Sequence, residues 1–195
     1  MKTWFYLLIA ICLFPQAGSG QGISDISRIR TELTEELWID HSIHEMNGYT
    51  IKMVFGESRT KYRHTNLGDV TAIEYLDQDQ LLDQLKGSDF DSSQVEILRP
   101  KYEEARGGAI NLYITRGSQS DANFKWFFIV IRGEDDWKKI MEIDLEYQPS
   151  QLPEGKGWWN YTTVFLPEPL ATPFYVYVND RHSGALSDFK FLVRR

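Results

Sequence analysis

The chain has 195 residues, of which 42% are hydrophobic and 25% charged. That is enough apolar material for the core of one ordinary domain and excludes wholesale disorder. The formal net charge of −7 lacks the basic footprint of a nucleic-acid binder, and no apolar run reaches the roughly 18 residues that a transmembrane helix needs.

Residues 1–20 read as an export signal. Lys2 supplies a short positive start. Trp4–Phe14 is apolar but too short to span a bilayer, and Ala17-Gly18-Ser19-Gly20 supplies the small residues that a signal peptidase needs. Cleavage after Gly20 would leave Gln21 at the new N-terminus. Cys12 is the single cysteine and falls inside this segment. The mature chain is therefore expected to have no disulfide, no thiol catalysis and no thiolate metal site. Export without disulfides points to a secreted, periplasmic or cell-surface protein of bacterial type.

The remainder reads as two parts, a mixed and acidic one over 21–101 and one dense in strand signals over 102–195. In the first, Ile26, Ile29, Leu33 and Leu37 recur at helical spacing. Gly48 marks a turn, and Tyr49, Ile51, Met53 and Phe55 alternate with other residues as a half-buried strand. Val70–Leu76 reads as a second strand and Gln80–Lys86 as a short helix ended by Gly87. Val95–Ile97, ahead of a turn at Pro100, reads as a third strand.

In the second part, Gly107-Gly108 opens a strand with Ile110, Leu112 and Ile114 on one face. Phe124–Ile131 is a strand apolar on both faces. A turn at Gly133–Asp136 leads to Ile140, Ile143 and Leu145, most simply as a hairpin. After a connection at Pro149–Gly157, strands are expected at Trp159–Phe165, Phe174–Val178 and Phe189–Val193. The expected fold is mainly β: an antiparallel β-sandwich, jelly-roll or immunoglobulin-like, with one or two short helices in the N-terminal half. Periodicity leaves open whether both parts share one core.

Val95–Arg99 followed by Gly107–Thr115 resembles the end of the plug domain of outer-membrane TonB-dependent receptors. The likeness is short and no barrel sequence follows it. Strand–Gly-Gly–strand recurs throughout β proteins, so no family is assigned from it.

Several clusters carry residues capable of chemistry. His41, His44 and Glu45 would share one turn of a helix, and with a third ligand they would hold a divalent metal; the order differs from the zinc-protease signature. From Asp69 to Glu96 there are eight acids against Lys86 alone, a local charge of −7. Within it, Asp89-x-Asp91-x-Ser93 has the alternate oxygen spacing of calcium loops but not the rest of the EF-hand pattern. No cofactor is expected, with calcium the ion that these loops would take. The alternative for both clusters is a solvated surface. Ser118, Ser120, Ser183 and Ser187 fall near acids or His182, without a nucleophile elbow. Arg59, Lys61, Arg63 and His64 make a short basic stretch suited to a strand edge.

The aromatics are the most suggestive feature. Trp137, Trp158, Trp159 and Tyr161 fall in or beside turns, where exposed rings would stack on sugars or fill a protein interface. Phase with Tyr161 and Phe165 assigns Trp159 to the core and Trp158 to solvent. The expected function is a non-enzymatic, exported binding module for a polysaccharide or an envelope protein. Trp158, Trp137 and Tyr161 would stack on the ligand, and Asn160, Asp180 and Arg181 would give direction. The alternatives are an accessory subunit of an envelope assembly and a metal-dependent hydrolase built on His41 and His44.

Overall fold

The computed structural model describes residues 43–55, 70–87, 90–150, 152–154, 157–182 and 189–195. The expected export signal, the helical pattern of Ile26–Leu37, His41, the basic stretch Arg59–His64, Asp89, Ser183 and Ser187 lie outside them.

Two hydrogen-bonded antiparallel sheets take up about half of the described chain. β1 (Ile43–Met46) and β2 (Tyr49–Phe55) form a hairpin. Its two-residue turn is Asn47-Gly48, with φ of 55° and 76°. Positive φ at both central residues is the turn whose twist matches paired strands, and Asn-Gly suits it best. β3 (Val70–Leu76) follows, then α1 (Gln78–Gly87), α2 (Ser92–Glu104) and β4 (Ala109–Arg116). A single 3-10 turn at Phe124–Trp126 precedes β5 (Phe127–Arg132), which pairs with β6 (Lys139–Asp144). The chain ends with β7 (Leu152–Glu154), β8 (Gly157–Phe165), β9 (Phe174–Asp180) and β10 (Phe189–Arg194). One sheet has the order β1-β2-β10-β9-β5-β6 and the other β3-β4-β8-β7.

Period-two alternation sorts each strand into an inner and an outer row. Phe127, Ile129 and Ile131, with Phe174, Val176 and Val178, line the inner face of the six-stranded sheet. Ile73, Ile110, Leu112, Ile114 and Val164 line that of the other sheet. These residues belong to one buried cluster, to which both the 21–101 and the 102–195 parts contribute. Tyr75 crosses between the sheets: its ring lies edge-on to Tyr49 (4.8 Å) and to Phe174 (5.1 Å), and its hydroxyl donates to the Gly107 carbonyl (2.9 Å). Burial pushes the Tyr75 hydroxyl well above its ordinary range.

A buried ion pair closes the inter-sheet space at one end. Arg116, at the end of β4, lies 3.4 Å from Asp180, at the end of β9, and each side chain is only 3% exposed. Arg116 also donates to Thr71 Oγ1 (3.0 Å) and to the Thr115 carbonyl (2.7 Å). Its guanidinium stands over the rings of Phe127 and Phe189. Asp180 in turn accepts from the backbone N–H of His182 (3.0 Å). A charge so placed survives burial because it is paired and hydrogen-bonded.

The segment read as a third strand at Val95–Ile97 is instead helical, within α2. Asp91 caps its N-terminus, accepting from the Gln94 backbone N–H (2.9 Å), while the Gln94 side chain accepts from the Asp91 N–H (3.0 Å). This reciprocal capping box outweighs the β-branched residues behind it. Pro100 lies inside the helix rather than at a turn. The two helices pack Leu81, Leu85 and Tyr102 against Leu76 and Ala109, where β3 and β4 meet. Gly108 then turns the chain at φ 84°, and a Cβ there would collide with the Leu76 carbonyl. Gly107-Gly108 thus serves a close helix-to-strand turn. No helix among the described residues is long and apolar enough to cross a membrane.

Removing one member of the buried pair should be costly. Asp180→Ala is expected to lower unfolding free energy by about 3–5 kcal/mol, whereas the Arg116→Met/Asp180→Leu double variant should recover most of that loss. Urea denaturation of the three proteins measures this, and equal losses in both would show that the charges themselves are not what is compensated.

Candidate functional site

The sequence-predicted residues separate into three environments. Asn160, Asp180 and Trp158 point inward. Asn160 is buried and donates to the carbonyls of Ala122 (2.8 Å) and Gln148 (2.6 Å), tying two connections to β8. Its side chain is thereby withheld from a ligand. Asp180 is consumed by Arg116. Trp158 packs against the inner core in phase with Asn160 and Val164, the reverse of the assignment made from the sequence. The strand alternates as expected, but Asn160 rather than an apolar residue takes the inward position, which hid the true phase.

Tyr161 is on the outer face of the four-stranded sheet. It is 36% exposed and lies parallel to Tyr113 at 6.1 Å. Nearby, Glu74 accepts from Asn47 (2.7 Å), Asn111 (2.9 Å) and Tyr113 (3.3 Å). Asp77 accepts from the Tyr49 hydroxyl (2.8 Å), and burial together with that bond pushes this hydroxyl up to about 12. Glu74, Asp77 and Asp91 of the acidic run thus tie a turn or cap a helix. Asp91 is one such cap, its carboxyl held below the usual range by the hydrogen bonds from Ser93 and Gln94.

His44 and Glu45 lie in strand β1, so the helical turn that would gather His41, His44 and Glu45 is not formed there. Among the described residues, no three His, Cys, Asp or Glu side chains converge as a metal set. At the other proposed cluster, Asp121 lies between its neighbours. It accepts from Ser120 (3.2 Å) and pairs with His182 Nδ1 (3.1 Å), while His182 lies against the Trp126 ring. A nucleophilic serine must hand its proton to the histidine, with the acid behind. Here the acid separates the two, so this arrangement does not activate Ser120.

The outer face of the six-stranded sheet carries Arg181 at one end of β5, the turn that bears Trp137 at the other, and between them residues that the sequence pattern does not single out. Registers place Lys52, Leu192, Tyr175 and Arg132 in one row across β2, β10, β9 and β5. The next row carries Lys190, Tyr177 and Val130. Lys190 Nζ stands over the rings of Tyr175 (4.1 Å) and Tyr177 (5.2 Å), and the Arg132 guanidinium over Tyr177 (5.3 Å). Each such contact contributes about 0.5–1 kcal/mol where exposed and aligns the cation on the ring. Arg181 lies over Phe128 (4.3 Å) and pairs with Asp144 (2.7 Å).

The β5–β6 turn folds onto this face. Asp136 adopts φ 59° and sends its carboxylate to the Tyr177 hydroxyl (2.7 and 2.9 Å) and to Lys190. Arg132 Nη1 donates to the Asp136 carbonyl (3.0 Å). Partial burial alone would raise the Asp136 carboxyl, but the hydrogen bonds from Lys190 and Tyr177 outweigh it and hold the group below the usual carboxylate range. Trp137, the next residue, is left 87% exposed at the rim. A turn anchored this firmly, carrying an indole with so little cover, is an arrangement suited to contact with another molecule.

No protein-family model, curated protein or solved structure matches this chain.

Because the folded Asp136 value lies below the unfolded one, near 3.9, its stabilisation is complete above the unfolded value and is lost as pH falls from there through the folded value. The thermal stability gap between the wild-type chain and Asp136→Asn should therefore be widest above about pH 5 and narrow progressively as pH falls below about 4. Melting curves across this range test it. A gap independent of pH would mean that the carboxylate charge contributes nothing to holding the turn.

Proposed function

We propose that this chain is an exported, non-enzymatic binding module that recognises a polysaccharide or an envelope protein, with the outer face of the six-stranded sheet and the Trp137 turn as its binding surface. The observation that carries this reading is the exposure of Trp137 beside a turn pinned by Asp136, Tyr177, Lys190 and Arg132. An indole in water is a poor use of apolar surface unless it is covered on binding. Tyr175 and Tyr177 lie half-buried beneath Lys190 and Arg132 and align these cations, which would supply direction.

A sandwich is the scaffold this reading uses. It is supported by the single buried cluster drawn from both sheets and by the cross-sheet contacts of Tyr75 and Arg116. Rigid strands behind the face would keep its rows of side chains in register during binding, which conserves affinity.

Trp137→Ala should leave the far-ultraviolet dichroism and melting temperature nearly unchanged, because the side chain has little to lose on the protein itself. The variant should bind at least about tenfold more weakly, equivalent to about 1.4 kcal/mol. The measurement is affinity capture of the chain from Gln21 onward against an envelope extract, with recovered glycans and proteins identified and the interaction then quantified by calorimetry. Undiminished binding by Trp137→Ala would remove this face from the site.

A further inference from the structure

The outward positions on the four strands β2, β10, β9 and β5 include four cations, Lys52, Lys190, Arg194 and Arg132, and no carboxylate. This is unexpected in a chain whose formal charge is −7. Among the described residues, acidic groups reach the face from its margins: Glu45 of β1, Glu142 and Asp144 of β6, and Asp136 of the β5–β6 turn. The turn shows how the face receives an anion. Asp136 carries its carboxylate in from the rim to the Tyr177 hydroxyl and the Lys190 ammonium, which is the geometry of charge-assisted recognition. Lys52 is exposed and in line with Tyr175 and Arg132, across three strand spacings of about 4.8 Å each. Cations are thus spread along a row of rings, rather than gathered into one pocket.

We propose that the ligand of this face is an anionic polysaccharide, bearing carboxylate or sulfate groups along its length, and that Asp136 occupies one anion position until such a ligand displaces it. The proposal rests on the binding-module reading and narrows its ligand class. The Trp137 ring would stack on a sugar face, while Lys52, Arg132 and Lys190, the last two aligned over Tyr175 and Tyr177, would meet the acidic groups. The overall negative charge repels polyanions in general, so binding must come from this local field and must weaken as salt screens it.

The full mature chain would be titrated by calorimetry with polygalacturonate and its methyl-esterified form, and with dextran sulfate and dextran. Each pair shares a backbone and differs in charge. At least one acidic member should bind and its neutral counterpart should not. Lys52→Gln should weaken binding by roughly threefold, the effect of one exposed charge contact. Asp136→Asn should strengthen it by a similar factor, because asparagine tolerates positive φ and the substitution frees Lys190. Dichroism confirms that each variant is folded. Equal binding of acidic and neutral members, with loss on Trp137→Ala, would overturn the anionic inference and leave the binding module intact. No binding of any of the four would also overturn it. Trp137-dependent capture of a stoichiometric protein partner would then identify a protein-binding module instead, and failure of that capture as well would remove both readings.

Discussion

A guanidinium and a carboxylate sealed between two sheets set the terms for the rest of this molecule. Arg116 ends β4 and Asp180 ends β9, so their contact joins the four-stranded sheet to the six-stranded one. An ion pair in that position tolerates little slippage, since a shift of one residue would send the partner to the opposite face and leave a buried charge exposed to apolar surroundings. Phe127, Phe189 and Thr71 pack or bond against the same guanidinium. Registers on both sides are thereby tied to one point, and the identity of every inward and outward residue follows from it.

That constraint explains why the outer rows are available for recognition. With Ile129, Val176 and Phe191 committed to the core, Val130, Tyr175, Tyr177 and Lys190 must face away from it. The helical hairpin covers the end of the other sheet, where β3 meets β4, and draws Leu76, Ala109 and Phe165 into a second apolar cluster. The six-stranded sheet carries its half-buried tyrosines and their cations on the outward face, with Lys52 and Trp137 exposed beside them, and the carboxylate of the turn at one edge is both anchor and charge balance. Fold and proposed site are therefore consequences of the same alternation, read on its two faces.

Strand positions were largely legible from alternation alone. Tyr49–Phe55 and Val70–Leu76 are strands over the residues that the pattern indicated. The losses have particular causes. Val95–Ile97 carries β-branched residues, yet the Asp91–Gln94 capping box decides for helix, and its spacing was present in the sequence as D-x-x-Q. The Asn47-Gly48 dipeptide was a stronger hairpin signal than glycine alone. Asn160 took an inward position that polarity argues against, and it reversed the phase of the Trp158-Trp159 pair. Trp137 was legible as a turn aromatic. Tyr175, Tyr177 and Lys190 were not, because only cross-strand register brings β9 and β10 beside the β5–β6 turn. Asp180 looked like a loop acid because its buried partner is distant in sequence.

The central claim is that recognition occurs on the outward face of the six-stranded sheet. Backbone amide shifts of the isotopically labelled mature chain, followed by NMR during titration with polygalacturonate, test it most directly. The account predicts perturbations concentrated at Lys52, Arg132, Asp136, Trp137, Tyr175, Tyr177 and Lys190, with Tyr113 and Tyr161 on the opposite sheet unaffected. Perturbations centred on Tyr113 and Tyr161 with the Trp137 turn silent would contradict it.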